Sequence, residues 1–256
     1  MIFVDKPNLP QKVKTLIIGE KYRGTLNDPL EKKGINVLYA PDNLHVDPRL
    51  CGHADLSVVH LGGNKIALAK YLKGSAFAEN LEKMGFEVCF SDNKQSSEYP
   101  YDAGLNMCMC GNKLIFNPKS ADLRIVEYLT NTKGLTKIQV KQGYSKCSAC
   151  VVKENVIISS DRGIHEKAVA NGLESLNISP GYIALDGFEY GFIGGASFKI
   201  DKDTLAFTGA LDAHPDKNKI LEFLSLHNIN AVYITENEAF DIGSAIQLVE
   251  KDSCDK

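Results

Sequence analysis

A segment that recurs five times constrains this 256-residue chain more than any other feature. The copies begin at His53, Tyr101, Tyr144, Phe192 and Phe240, with steps of 48, 43, 48 and 48 residues. A fixed period of this length marks units that bury their apolar faces only against neighbouring copies. Each copy opens with an extended run: HADLSVVHLGG, YDAGLNMCMCG, YSKCSACVVKE, FIGGASFKIDK and FDIGSAIQLVE. Eleven residues after each start stands Asn64, Asn112, Asn155, Asp203 or Lys251. The first four copies then continue as KIALA, KLIFN, VIISS and TLAFT. Two short apolar runs around such a turn predict a β-hairpin. A helical stretch follows (AENLEKMG, LRIVEYLTNTKG, HEKAVANG, NKILEFLSLHN), and a third strand closes the unit (FEVCF, LTKIQV, LESLNI, INAVYI). Three of the four helical stretches end in Gly, the preferred C-terminal cap.

The fifth copy stops after its first strand, and its missing parts stand at the other end of the chain. TLIIG reads as the second strand, NDPLEKKG as the helix and INVLYA as the third strand. The sequence therefore predicts an α/β fold of five ββαβ repeats around a pseudo-fivefold axis, a five-bladed α/β-propeller. It forms one domain over residues 1–256, the last repeat being completed by residues 13–42. Closure of this kind limits exposed sheet edges.

Hydrophobic residues make up 44% of the chain, which suits a buried core, and no apolar run is long enough for a membrane span. The start, MIFVDKPNLP, lacks the regions of a signal peptide. Seven cysteines without framework spacing read as reduced thiols in the cytoplasm. The net charge of −3, with dispersed Lys and Arg, gives no basic face for nucleic acid and is compatible with a small cationic ligand. The polar stretch Ser91–Asp102 is expected to cover one end of the ring.

Strand residues alternate faces. With no bulge, one set of first-strand positions is mostly small (Leu56, Gly104, Cys147, Gly195 and Gly243, then Val58, Asn106, Ala149, Ser197 and Ala245) and is expected at the axis. The other is bulky (Val59, Met107, Cys150, Phe198, Ile246) and is expected under the helices. The residues expected at the mouth of the ring are His53, Asp55, Asp102, Lys146 and Asp241, with Cys147 and Asn106 deeper.

Five ββαβ units in a ring resemble the pentein, or guanidino-group-modifying enzyme, superfamily, and the resemblance covers nearly the whole chain. Within this fold the chain resembles an uncharacterised family, through GYSKCSACVV, GFIGGASFKID, TGALDAHPD and DIGSAI. The resemblance implies a Cys nucleophile, a His acid/base and carboxylates that hold a guanidinium. The superfamily Cys lies on the first strand of the fifth repeat, which here reads DIGSAIQLV, and its His starts the third repeat, where this chain has Tyr144. An acidic residue of the first repeat matches at Asp55. His and Cys stand two repeats apart in the superfamily. His53 and Cys147 or Cys150 keep that spacing, which implies a site rotated about the axis.

Cys51-Gly-His53-Ala-Asp55 places three ligand-type residues on alternate positions, but three near ligands on one strand rarely reach tetrahedral geometry, so no metal is expected. Cys147-Ser-Ala-Cys150 has redox spacing without the helix start such a motif needs. GFIGG leads into a strand, so close backbone packing is expected there rather than a phosphate loop, and no cofactor is expected. Asp212 and His214 either reach the mouth or, with Asp216, form a turn and helix cap.

The sequence points to an uncharacterised ligand site at one mouth. In its enzymatic form this is a hydrolase of non-peptide C–N bonds in a guanidino- or amidino-type ligand. Cys147 would be the nucleophile and His53 the acid/base, with Asp55, Asp102, Asn106, Lys146 and Asp241 contacting the ligand. The alternative is a non-catalytic binding protein of the same fold, with a small-molecule or macromolecular partner.

Overall fold

In a computed structural model the chain is described over residues 1–93 and 95–252. Five small sheets are built in succession. In each of the first four units an antiparallel hairpin is followed by a helix that returns the chain to a parallel third strand. The first unit consists of Val58–Gly62, Lys65–Leu68, helix Ala76–Lys83 and Glu87–Phe90. The second consists of Cys108–Cys110, Lys113–Phe116, helix Leu123–Glu127 and Thr136–Gln139, with a π-helical extension over Tyr128–Thr132. The third and fourth carry helices Arg162–Ala170 and Lys217–Leu226.

Local chemistry sets the helix ends. Ser75, Asp122 and Asp161 accept backbone N–H groups of the first turn through their side chains. Gly85 and Gly172 leave the first and third helices at positive φ, and Asn228 takes the same left-handed conformation in the fourth unit (φ 58°).

The fifth sheet joins the two ends of the chain. Ile246–Glu250 pairs antiparallel with Val13–Gly19, and Val13–Gly19 pairs parallel with Asn36–Ala40. Helix Arg23–Lys32 connects the last two strands. Ile2–Phe3 adds a further antiparallel strand on the free edge of Ile246–Glu250.

The apolar core runs as a closed circuit of clusters between consecutive units. Val59, Leu61 and Met109 with Phe116 join the first to the second, and Cys108 and Cys110 with Ile157 join the second to the third. Cys150 and Val152 with Phe207 join the third to the fourth, and Phe198 with Leu16 and Ile18 joins the fourth to the fifth. Ile246 and Leu248 with Ile66 and Leu68 join the fifth to the first. Each first strand thus spends its two faces on its two neighbours.

Two expectations change. The bulky set packs between units, not beneath a unit's own helix alone. The second unit is also out of register by one residue. Four first strands carry a register shift near the hairpin, at His60/Gly62, Val151/Lys153, Lys199/Asp201 and Gln247/Val249, whereas Cys108–Cys110 carries none. Val59, Cys150 and Phe198 therefore correspond to Cys108 instead of Met107, and His53 and Tyr144 correspond to Asp102 instead of Tyr101.

Residues 2–11 strap the hairpin ends. Val4 accepts from Gly63 N, Asn8 Nδ2 donates to Met109 O, Gln11 accepts from Lys202 N, and Lys6 pairs with Glu154 at 3.1 Å. These contacts reach units one, two, four and three. The polar stretch after the first unit lies on the other side, apart from Lys94, which is outside the described residues. There Gln95 Nε2 donates to Leu56 O, and Tyr99 Oη accepts from Gly143 N at 2.8 Å.

The split fifth sheet makes a direct prediction. Deleting residues 1–40 strips Ile246–Glu250 of both its ladders and is expected to abolish the cooperative thermal transition. A circular permutant that links the two termini and opens at the exposed Lys73–Gly74 turn keeps every ladder and is expected to keep that transition. Circular dichroism melts of both variants check it.

Candidate active site at the strand entrances

The residues that enter the first strands form helical turns, not extended chain. Ala54–Leu56 is a 3-10 turn, and Ser145–Ser148 is a single helical turn. Strand alternation therefore fails at these positions. His53 and Asp55 come to lie near Cys147, while Cys150 continues into the strand Cys150–Lys153 and the core between units three and four.

One ligand-type atom each from His53, Asp55 and Cys147 lies within 4.8 Å of the other two. All three residues are buried, as are Asn106, Asp102, Lys146 and Asp241. Cys147 Sγ is 2.8 Å from Asp55 Oδ2 and accepts from Asn106 Nδ2 at 3.3 Å. Asn106 Oδ1 in turn accepts from Lys146 N at 2.7 Å, so one side chain from the second unit fixes the turn that presents the thiol. Two polar atoms of this trio, His53 Nε2 and Asp55 Oδ1, have no hydrogen-bond partner among the described residues.

Asp241 forms the opposite wall. Its carboxylate accepts from Phe192 N and Gly243 N, each at 2.8 Å. Gly195 is required beside it, because a Cβ there would lie 1.9 Å from Asp241 Oδ1. Close packing, not phosphate binding, accounts for the GFIGG run.

Lys146 and Asp102 are placed differently from the other expected ligands. The Lys146 ammonium donates to Ser244 Oγ at 3.0 Å and, with Asp55, borders a cavity of about 30 Å³ that Pro7 and Asn8 of the N-terminal strap also line. Asp102 accepts from Tyr144 Oη at 2.5 Å and lies behind that ring. Asp212 pairs with Lys217, and Asp216 accepts from Ser179 N at 2.6 Å while standing at the helix start. Cys51 is not part of the cluster. Cys147 takes its place beside His53 and Asp55, the one group of potential metal donors among the described residues.

Above the cluster opens a cavity of about 240 Å³ lined by His53, Cys147 and Asp241 at its floor and by Leu50, Tyr144, Leu185, Phe188, Glu189, Tyr190 and Phe192. The aromatic wall is missing from the sequence expectations. Its only signal there is the aromatic character of the repeat starts and the run YIALDGFEYGF. The 182–190 loop is held by Arg49, which donates to Gly187 O at 2.8 Å and stacks over Phe188 at 4.0 Å.

Burial dominates the electrostatics. It pushes the Asp55 carboxyl up to about 7, with the Asp241 charge adding to the effect and the Cys147 hydrogen bond opposing it. It drives the Cys147 thiol well above its ordinary value, reinforced by Asp55 and Asp241. It lowers the pKa of His53 and keeps the imidazole neutral, against the pull of Asp241.

The fold matches solved structures over almost its whole length. An amidinotransferase from Microseira wollei in the saxitoxin biosynthetic pathway is 8% identical, with a TM-score of 0.61 and 99% of each chain covered. The inosamine-phosphate amidinotransferase of Streptomyces griseus is 10% identical, with a TM-score of 0.57 over 98% of this chain and 97% of that one. C. jejuni agmatine deiminase is 12% identical, with a TM-score of 0.55 over 98% and 97%. These are pentein-fold proteins, and the chain shares their fold. Residues 17–246 match the family of unknown function DUF6873, and the chain belongs to that family. A comparison with curated protein sequences finds no match. No helix among the described residues is long and apolar enough to cross a membrane.

The raised carboxyl makes a signed prediction. Asp55 holds its proton up to about pH 7 in the fold, against an ordinary 3.8. Its contribution to stability is therefore full below the ordinary value and declines as pH rises through the folded one. His53 acts in the opposite sense: its contribution is full above its ordinary 6.5 and lost as pH falls. Asp55→Asn removes only the first effect. Relative to wild type, the variant is expected to gain stability between about pH 5 and pH 8, on the order of 1–3 kcal/mol. Urea unfolding at the two pH values measures it, and an equal difference at both contradicts a protonated Asp55.

Proposed function

We propose that the five units form a single-domain, five-bladed α/β-propeller. In this reading one mouth holds a cysteine-dependent hydrolase of a C–N bond in a small amidinium or guanidinium ligand. The observation that carries the reading is the convergence of His53, Asp55 and Cys147 beneath an open cavity, each buried and two with unpartnered polar atoms. Six unpaired cysteines among the described residues favour a reducing, cytoplasmic compartment.

In this reading the ligand cation sits between Asp55 Oδ1 and Asp241. Its positive charge lowers the Cys147 pKa, which burial and the nearby carboxylates raise. Neutral His53 takes the thiol proton as the sulfur bonds to the amidine carbon. Collapse of the tetrahedral adduct breaks the C–N bond, and His53 returns that proton to the departing amine. Water then attacks the S-bound carbon with His53 as base, the C–S bond breaks, and a carbonyl product leaves with the thiol restored. Asn106 orients the sulfur, and Lys146 acts from below through Ser244. Asp102 orients Tyr144.

Thiol profiling tests the reading. Chloroacetamidine carries the cation and chloroacetamide does not. Wild type is expected to label at Cys147 at least about tenfold faster with the amidine, and Cys147→Ala is expected to lose that adduct while a panel of guanidino and amidino compounds loses turnover. His53→Ala is expected to lower turnover by roughly 10²-fold or more. Inert thiols and no turnover across the panel would end the hydrolase reading and leave a non-catalytic binding pocket. A thiol and a carboxyl both held neutral by burial fit that second reading.

A further inference from the structure

The cavity above Cys147 is walled by Leu50, Leu185, Phe188, Tyr190 and Phe192, and its charged lining among the described residues is acidic, from Asp241 and Glu189. Neighbouring cations are already engaged. Arg49 gives Nε and Nη2 to Asp47 at 2.9 and 2.6 Å and Nη1 to Gly187 O, with its guanidinium against Phe188 outside the lining. Lys146 gives its ammonium to Ser244. The cavity therefore offers no donor cation for a ligand carboxylate, and such a group entering beside Asp241 and Glu189 would meet like charge without a partner. Aromatic faces, the buried Asp241 carboxylate and the exposed Glu189 instead favour a weakly hydrated organic cation. The volume, about 240 Å³, falls below that of pockets for drug-sized ligands, roughly 300–1,000 Å³. It suits a fragment whose apolar part fills the aromatic wall while its charged end reaches the floor.

We infer that the site selects a monocationic amidinium or guanidinium with a short aromatic or apolar substituent and no carboxylate, and discriminates against amino-acid guanidines. This rests on the cation site of the preceding reading, but not on its covalent chemistry.

Calorimetric binding to the full chain separates the two. Phenylguanidine has the cation and the ring, phenylurea is its neutral isostere, and arginine has the cation with a carboxylate. Phenylguanidine is expected to bind at least about tenfold more tightly than either, because a buried charge without its partner, or an unpaired carboxylate, costs well over 1.4 kcal/mol. Phe188→Ala changes a partly exposed wall residue and is expected to weaken phenylguanidine roughly threefold to tenfold while leaving the melting temperature within a few degrees. Arginine binding as tightly as phenylguanidine overturns the inference. So does phenylurea binding equally well, or no binding of any probe at millimolar concentration. The same order of affinities in Cys147→Ala, with no turnover in wild type, keeps the selectivity and removes the hydrolase. Turnover of arginine in preference to phenylguanidine keeps the hydrolase and removes the selectivity.

Discussion

The ladder between Ile246–Glu250 and Val13–Gly19 holds the two ends of the chain in one sheet. Without it the first and fourth units would each leave an apolar face exposed, because Leu68 packs on Leu248 and Phe198 on Ile18 across that sheet. The circuit of core clusters then has no free end. Every first strand is fixed on both faces, so the turns that precede the strands are fixed as well. Residues from units one, two, three and five meet at those turns, and no single unit contains the cluster.

The cluster weakens the fold locally. His53 Nε2 and Asp55 Oδ1 lie buried with no partner among the described residues, and each such atom costs roughly 1–3 kcal/mol. A carboxyl pushed up to about 7 and a neutral imidazole lie beside Asp241, whose own oxygens are engaged by Phe192 N and Gly243 N. Apolar substitutes would pack at lower cost. Unpartnered His53 Nε2 and Asp55 Oδ1 stand at the end with the open cavity, while the opposite end is strapped by residues 2–11. A cation delivered from the open end would offset the desolvation and occupy the unpaired atoms together, which links the polar deficit to the proposed ligand class.

The repeated units and their elements were legible in the sequence because they depend on local patterning. Apolar runs around Asn64, Asn112, Asn155 and Asp203 give hairpins, and Gly85, Gly134 and Gly172 stand at positive φ just past the helical stretches, as expected. The register of the second unit was not legible, since a bulge absent from Cys108–Cys110 leaves no mark in residue type. Nor were the helical turns at Ala54–Leu56 and Ser145–Ser148, where tertiary packing overrides the extended pattern that follows. The repeat columns point to His53, Asp55 and Cys147 at one mouth and the resemblance implies their roles, but the Asn106 bond to the sulfur and the diversion of Lys146 to Ser244 arise from contacts between units. The aromatic wall was hidden because Phe188 and Tyr190 lie on a loop whose position depends on Arg49.

Register also bears on where the reactive side chains stand. Counting back from the ladders, His53, Asp102, Tyr144, Phe192 and Phe240 occupy one equivalent position, and Leu56, Leu105, Cys147, Gly195 and Gly243 occupy another. A repeated frame offers each position five times at nearly the same depth. Chemistry then depends on which copies hold the reactive side chains, not on a fixed address in the chain. Here the histidine is in the first copy and the thiol in the third, two units apart. Tyr144, which occupies the equivalent of the His53 position in the third unit, is hydrogen-bonded to Asp102. The Tyr144 hydroxyl is held protonated by burial and by Asp102, so it cannot act as a base near neutral pH. Among the described lining residues His53 is the imidazole, and its neutral form can accept a proton and return it.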